Sequence, residues 1–262
     1  MTLRENHTLK LLRNQQVAHG LWLHSHDFHI ARILAAQNIL DWLLVDLEHT
    51  PVDLSTASMI MASIADVSQG KCSPMARIAS NTQAQVKQAL DAGAQGIIVP
   101  MINTADEARE VVQYARYPPQ GQRGGGGLTP HLGFNMTNHA SYIPQANPEI
   151  LVAIQVETIE AVNQIEDIVQ VDGLDMIFVG PFDLHISMGL PPSLWSDNPQ
   201  FLDAIKRVVE TCQQANIPLG TIVPNAEQAK IRAEQGFRFI GVGTDIFHLV
   251  SRINQQFSSL KS

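Results

Sequence analysis

The chain has 262 residues, 45% of them apolar, and a formal net charge of −8. That length fits one large α/β domain or two small ones, each with a sizeable core. No run of lysine and arginine offsets the negative balance, which argues against a nucleic-acid partner and an anionic membrane surface. The N-terminus Met1-Thr-Leu-Arg-Glu-Asn-His has no apolar signal segment, and no apolar run is long enough to span a bilayer. Cys72 and Cys212 lie far apart without CxxC spacing and read as two reduced thiols, so a cytoplasmic location is expected.

In chain order, a leading helix is predicted over Leu3–Arg13, then strands at Val17–Leu23 and Trp42–Asp46. A third strand at Pro74–Ile78 precedes a helix at Gln83–Ala92, and a fourth at Gly96–Val99 precedes a helix at Ala105–Ala115. The stretch Tyr117–Pro148 breaks the rhythm with Pro118-Pro119, the run Arg123-Gly-Gly-Gly-Gly127 and a helical pattern over Asn135–Asn147. Strands at Leu151–Val156, Met176–Val179, Leu219–Val223 and Phe239–Val242 follow, with helices at Ile159–Val169, Phe201–Ala215 and Ala226–Gln235. Eight strand–helix pairs without a linker read as one α/β domain over residues 1–262. Its expected fold is a (β/α)₈ TIM barrel with an N-terminal helix and a long insert before the fifth strand. A doubly wound sheet is the rival. The insert should approach the barrel from the N-terminal end of the strands, as a functional segment or an oligomer contact.

In such a barrel, chemistry sits at the C-terminal ends of the strands. Glu157 closes the fifth predicted strand and Asp183 is placed at the end of the sixth. Two hard oxygen donors there suggest a divalent cation such as Mg²⁺ or Mn²⁺. Period-two alternation puts Gln155 on the same face as Glu157. The alternatives are a buried polar pair for Gln155 and Glu157, and a helix cap for Asp183. The second strand ends Asp46-Leu-Glu-His49, where His49 is either a general base or part of a surface turn. Arg77, late in an apolar strand, needs a partner or a ligand and could stabilise an oxyanion. No lysine closes a strand, so Schiff-base chemistry is not expected. Leu23-His24-Ser-His26 has the HxH form of metal-dependent amidohydrolases, but the matching histidines on strands five and six are missing. Residues 124–127 read as a loop rather than a P-loop, and Gly241-Val-Gly-Thr-Asp245 as either a phosphate site or a tight turn.

Several segments taken together resemble the HpcH/HpaI aldolase family, the class II pyruvate aldolases. They are Gly20-Leu-Trp-Leu, Asp41-Trp-Leu-Leu-Val-Asp-Leu-Glu-His49, Gln88-Ala-Leu-Asp-Ala-Gly93, Val99-Pro-Met, Arg116-Tyr-Pro-Pro-Gln-Gly-Gln-Arg-Gly124, Gln155-Val-Glu-Thr and Val179-Gly-Pro-Phe-Asp-Leu184. The resemblance implies a (β/α)₈ barrel in which Glu157 and Asp183 ligate a divalent metal: Mg²⁺, Mn²⁺, Co²⁺ or another. It implies that Gln155, with the backbone at Phe182 and Asp183, holds the pyruvate moiety. His49 would be the acid/base residue and Arg77 would stabilise the enolate. Asp91 would raise the basicity of the histidine. Because it lies on a predicted helix, it would do so from a neighbouring subunit of a homo-oligomer, a hexamer by resemblance. The implied reaction cleaves a 4-hydroxy-2-oxo acid to pyruvate and an aldehyde, or runs in reverse. The alternatives are oxaloacetate decarboxylation or macrophomate synthase-like chemistry at the same site, and a non-catalytic ligand-binding barrel. Three departures bear on the second substrate: Phe182 where many members have alanine, Gly127 where several have serine, and a histidine-rich loop at His24–His29.

Overall fold

The computed structural model describes residues 5–126, 129–132 and 135–260. Eight parallel strands close into a barrel in sequence order. The elements are α1 (His7–Arg13), β1 (Ala18–Leu23), α2 (Phe28–Ala35), β2 (Trp42–Asp46), α3 (Leu54–Val67), β3 (Ser73–Arg77), α4 (Gln83–Asp91), β4 (Gly96–Val99) and α5 (Ala105–Ala115). After the insert, which contains α6 (His139–Ala146), come β5 (Leu151–Val156), α7 (Ile159–Asn163), α8 (Ile165–Ile168), β6 (Met176–Val179) and α9 (Pro181–Ser187). The chain finishes with α10 (Pro199–Gln214), β7 (Leu219–Val223), α11 (Ala226–Glu234), β8 (Phe237–Thr244) and α12 (Asp245–Phe257). Among the described residues, no helix is long and apolar enough to cross a membrane.

Alternation along the strands makes two apolar layers. One lies between sheet and helices and includes Leu43, Val45, Ile97, Val152 and Ile177. The other fills the barrel with Trp22, Trp42, Leu44, Met75, Phe178 and Phe239. Trp42 stacks on Phe239 at 4.0 Å between ring centroids. Gly20 makes that possible, because a Cβ there would lie 2.0 Å from the Trp42 ring. Helix α1 adds Leu9 and Leu12 to the inner layer and closes the barrel's N-terminal end. It starts at His7 because the Asn6 side chain caps it, accepting from Leu9 N at 3.1 Å. The expected start at Leu3 lies outside the described residues.

Other boundaries move for local reasons. Helix α5 matches its expected span because Thr104 and Glu107 form a capping box. The single helix expected over Ile159–Val169 is two, broken at Gln164 with φ −103° and ψ 6°. The helix expected over Asn135–Asn147 is shorter, with 3₁₀ turns at Met136–Asn138 and Asn147–Glu149 on either side of α6. Strand β8 runs further than expected at both ends, to Phe237 and Thr244. The insert stays at the N-terminal end of the strands, as expected. His131 Nε2 lies 2.9 Å from Leu90 O, and Arg123 Nη2 donates to Asp91 at 2.8 Å, both at the C-terminal end of α4. Gly124–Gly126 therefore lie away from the mouth, and Gly127 falls outside the described residues.

Candidate active site at the barrel mouth

Asp46 and Arg77 are the last residues of β2 and β3 and are partners in register. Arg77 Nε donates to Asp46 Oδ1 at 2.9 Å and Nη2 to Oδ2 at 2.6 Å, a two-pronged pair with Asp46 fully buried. Arg77 Nε also lies 3.1 Å from Glu48 Oε2, and its guanidinium sits 4.4 Å from the centroid of the Trp22 ring. Burial alone would raise the Asp46 carboxyl, but His24 and Arg77 beside it outweigh that and hold it below the ordinary range. Asp46 also builds the turn that follows, accepting from Glu48 N at 3.1 Å. The partner that Arg77 required is therefore Asp46, with Nη1 left free of hydrogen bonds to described residues.

Gln155 and Glu157 do share one face and are each 2% exposed. Glu157 Oε1 accepts from Met101 N at 2.8 Å, and Oε2 accepts from Gln155 Nε2. Met101 holds the left-handed φ of +56°, which turns its N–H onto the carboxylate. Gly180 leaves room for the pair, since a Cβ there would lie 2.6 Å from both Gln155 Nε2 and Glu157 Oε2. Burial, followed by the charges of Asp183 and Glu48, pushes the Glu157 carboxyl up to about 7 against the Met101 hydrogen bond. Burial likewise pushes Glu48 up, with Asp46 and Asp183 adding to it and Arg77 and His49 opposing.

Asp183 corrects one expectation. It does not end a strand: β6 stops at Val179, and Asp183 lies in the first turn of α9. Nor does it cap that helix, whose N-cap is Gly180 with no side-chain capping bond. Phe182, beside it, is 47% exposed. His49 is also open, its side chain 60% exposed, with Nε2 3.8 Å from Glu48 Oε2. Asp91 is not brought to this site. It ends α4, a helix running antiparallel to the strands, and pairs with Arg123 at the far end of the barrel.

Other residues at the mouth were not singled out from sequence. Asp245 accepts from His24 N at 2.8 Å and Ser25 N at 3.1 Å, and so pins the β1–α2 loop. The Gly241–Asp245 segment is the end of β8 running directly into α12, with Gly243 at φ +67°, and it presents a carboxylate. Glu48 Oε2 has the Arg77 guanidinium beside it, whereas Trp22 Nε1 and Gln155 Oε1 are buried without a hydrogen-bond partner. Each such atom costs about 1–3 kcal/mol unless a ligand satisfies it. No signal in the sequence identifies an orphaned atom, although the Gly20-Leu-Trp segment marked Trp22.

Among the described residues, no group of three or more His, Cys, Asp or Glu side chains could by itself hold a metal ion. Glu157 and Asp183 supply hard oxygens, the charge of Asp183 raises the cost of ionising Glu157, and a cation would relieve that cost. The residues present therefore fit a divalent ion that takes its remaining ligands from substrate and water.

The HpcH/HpaI aldolase/citrate lyase family profile matches residues 18–251. A 4-hydroxy-2-oxo-heptane-1,7-dioate aldolase of Shigella sonnei is 35% identical over 229 residues, covering 86% of this chain and 84% of that one. An HpcH/HpaI aldolase/citrate lyase family protein from Burkholderia cenocepacia superimposes with a TM-score of 0.90 at 31% identity, covering 98% and 100% of the two chains. Macrophomate synthase shares the fold, with a TM-score of 0.87 at 21% identity and coverage of 99% and 91%. On sequence, on barrel topology and on the full span of both, this chain is a member of the HpcH/HpaI aldolase/citrate lyase family.

Proposed function

We propose that this enzyme is a carbon–carbon lyase, a class II pyruvate aldolase that cleaves a 4-hydroxy-2-oxo acid to pyruvate and an aldehyde and runs the reverse addition. The observation that carries this reading is the buried Glu157 carboxyl. It is 2% exposed, accepts from Met101 N and Gln155 Nε2, and feels the charges of Asp183, Glu48 and Arg77, with no lysine closing a strand. The family is generally metal-dependent. Glu157 and Asp183 would hold the divalent cation, Mg²⁺ or Mn²⁺, which when bound would act as a Lewis acid toward the 2-oxo acid.

The chain's own residues do the rest. Gln155 and the backbone N–H groups of Phe182 and Asp183, in the first turn of α9, hold the pyruvate half. His49 takes the proton of the C4 hydroxyl. The C3–C4 bond breaks, the aldehyde leaves, and the electron pair remains on the pyruvate fragment as its enolate. Arg77, fixed by Asp46, offers Nη1 and a positive charge to the developing oxyanion. In the addition direction the same residues act in reverse order.

Asp91 and His49 lie at opposite ends of one barrel, so pairing them would require a second copy of the chain. A homo-oligomer, a hexamer by the family resemblance, is the arrangement we propose. Two unbonded buried cysteines suit a cytoplasmic enzyme.

The test is deuterium exchange of the pyruvate methyl protons in D₂O, followed by NMR with Mg²⁺ and then with EDTA. Exchange that needs the metal supports the reading. No exchange with metal bound, together with fast pyruvate formation from oxaloacetate, would replace it with decarboxylation.

A further inference from the structure

Seven of the eight helices that follow a strand start on a side-chain cap: Asp27, Asp53, Thr82, Thr104, Thr158, Asn225 and Thr244. Helix α9 does not, because its first position outside the helix is Gly180. A capping side chain could not stand there, since a Cβ would lie 2.6 Å from Gln155 Nε2 and Glu157 Oε2. The turn that carries Phe182 and Asp183 is therefore held in another way.

His185, one turn further along α9, reaches back to it. Its side chain is buried, and Nδ1 lies 2.6 Å from Pro181 O. A carbonyl only accepts, so Nδ1 carries the proton. In the neutral ring Nε2 is then an acceptor, and Ser196 Oγ donates to it at 2.8 Å. The same Oγ accepts from Asn198 N at 3.4 Å, and Asn198 caps α10 by accepting from Gln200 N at 2.9 Å. A run of hydrogen bonds in one direction thus joins the start of α10 to the first turn of α9. The imidazole also stacks on the buried Phe201, 4.0 Å between centroids, and Trp195 meets Phe201 edge-on at 5.3 Å. These contacts leave the ring one place and one tautomer.

The carbonyl that His185 grips decides what the bond does. Pro181 O and Phe182 N belong to one planar peptide, whose C=O and N–H point in opposite directions. Fixing the oxygen fixes the direction of the Phe182 N–H, and donating to that oxygen strengthens the N–H as a donor. Asp183 follows in the same turn. Both ring nitrogens are engaged and the ring is 1% exposed, so His185 acts through this peptide and not on substrate. We propose that His185 is a positioning residue, which through Pro181 O sets the turn that presents the Phe182 N–H and Asp183 to the 2-oxo acid. The inference rests on the aldolase reading above, which gives those two groups their roles.

The experiment follows pyruvate methyl exchange with Mg²⁺ in wild type, His185→Asn and His185→Gln. Both variants lose the ring and its stack on Phe201. The asparagine amide nitrogen falls near the place of Nδ1 and can still donate to Pro181 O, whereas that of glutamine falls near Nε2 and cannot. KM does not depend on enzyme concentration, so a partly unfolded preparation still reports it. His185→Gln is expected to raise the pyruvate KM by about tenfold or more with kcat within about threefold, and His185→Asn to stay within about threefold of wild type in both. The amide proton of Phe182 supplies a readout without turnover, shifted upfield in His185→Gln and close to wild type in His185→Asn. Equal changes in the two variants, or a wild-type KM in both, overturn the positioning role and leave the aldolase intact. Absence of methyl exchange in wild type with any divalent cation overturns the aldolase reading itself, and the role of His185 with it.

Discussion

Two groups of buried polar residues, one toward each end of this barrel, are satisfied to different degrees. At the N-terminal end, Arg116 gives Nη1 to Asn147 O and to Ile150 O at 2.8 Å. It gives Nη2 to Gly173 O at 2.9 Å and to Asp175 Oδ2 at 2.5 Å. Asp175 in turn accepts from Val152 N at 2.8 Å, and Asn147 bonds both N–H and C=O of Tyr117. Both of its terminal nitrogens are paired twice over, and the network ties the insert to the sheet. At the C-terminal end, like charges crowd, Met101 and His26 hold left-handed backbones, and buried atoms go unpaired. The Arg116 network is saturated, although Arg123 Nε and Nη1 toward the same end are buried without a hydrogen-bond partner. The unpaired atoms at the mouth lie among the residues that would meet a ligand.

That contrast can be broken at either end. The largest effect is expected from Glu157→Ala, which should lower metal-dependent methyl exchange by at least ~10³-fold, because it removes one of the two carboxylates that would hold the cation. Full exchange in that variant would refute the metal assignment. His49→Ala should slow aldol cleavage by roughly 10²–10⁴-fold, read as kcat, if His49 moves the proton. Arg116→Ala should leave the kcat of folded protein near wild type yet cost about 3–5 kcal/mol in urea unfolding, since it leaves Asp175 without its counter-charge. A large loss of kcat with unchanged stability would invert the division between the two ends.

The acid limb of stability probes the mouth again. The folded Asp46 carboxyl lies below its ordinary value of 3.8. It therefore contributes stability that is complete above that value and is lost as pH falls toward the folded pKa. The stability difference between wild type and Asp46→Asn should accordingly shrink on going from pH 6 to pH 3. A constant difference would mean that the folded protein does not lower Asp46. The smallest effect is expected from Phe182→Ala, at an exposed position. It should move unfolding by no more than about 0.5 kcal/mol while changing KM for the aldehyde.

The barrel was legible because strand alternation and helix caps are local. Thr104 and Glu107 lie three residues apart and fix the start of α5, and Gln155 and Glu157 face the same way because they are two residues apart. What could not be read depends on contacts distant in sequence or on backbone torsion. Asp183 looks like a strand terminus, but Pro181 starts a helix before it. Asp245 reaches His24 across 221 positions, and Met101 needs an uncommon φ to reach Glu157. The family resemblance supplied roles for His49 and Asp91, but one copy of the chain keeps the two apart.

The plug formed by α1 has a consequence for synthesis. Leu9 and Leu12 belong to a cluster that includes Met176, Phe178 and Phe239, and β1 pairs with β8 as well as β2. During synthesis α1 and β1 therefore find their last partners only after β8 has been made. Until then β1 carries an open edge and α1 a bare apolar face. The nascent barrel has to be sheltered or simply outrun aggregation, and its final step is the joining of β1 to β8.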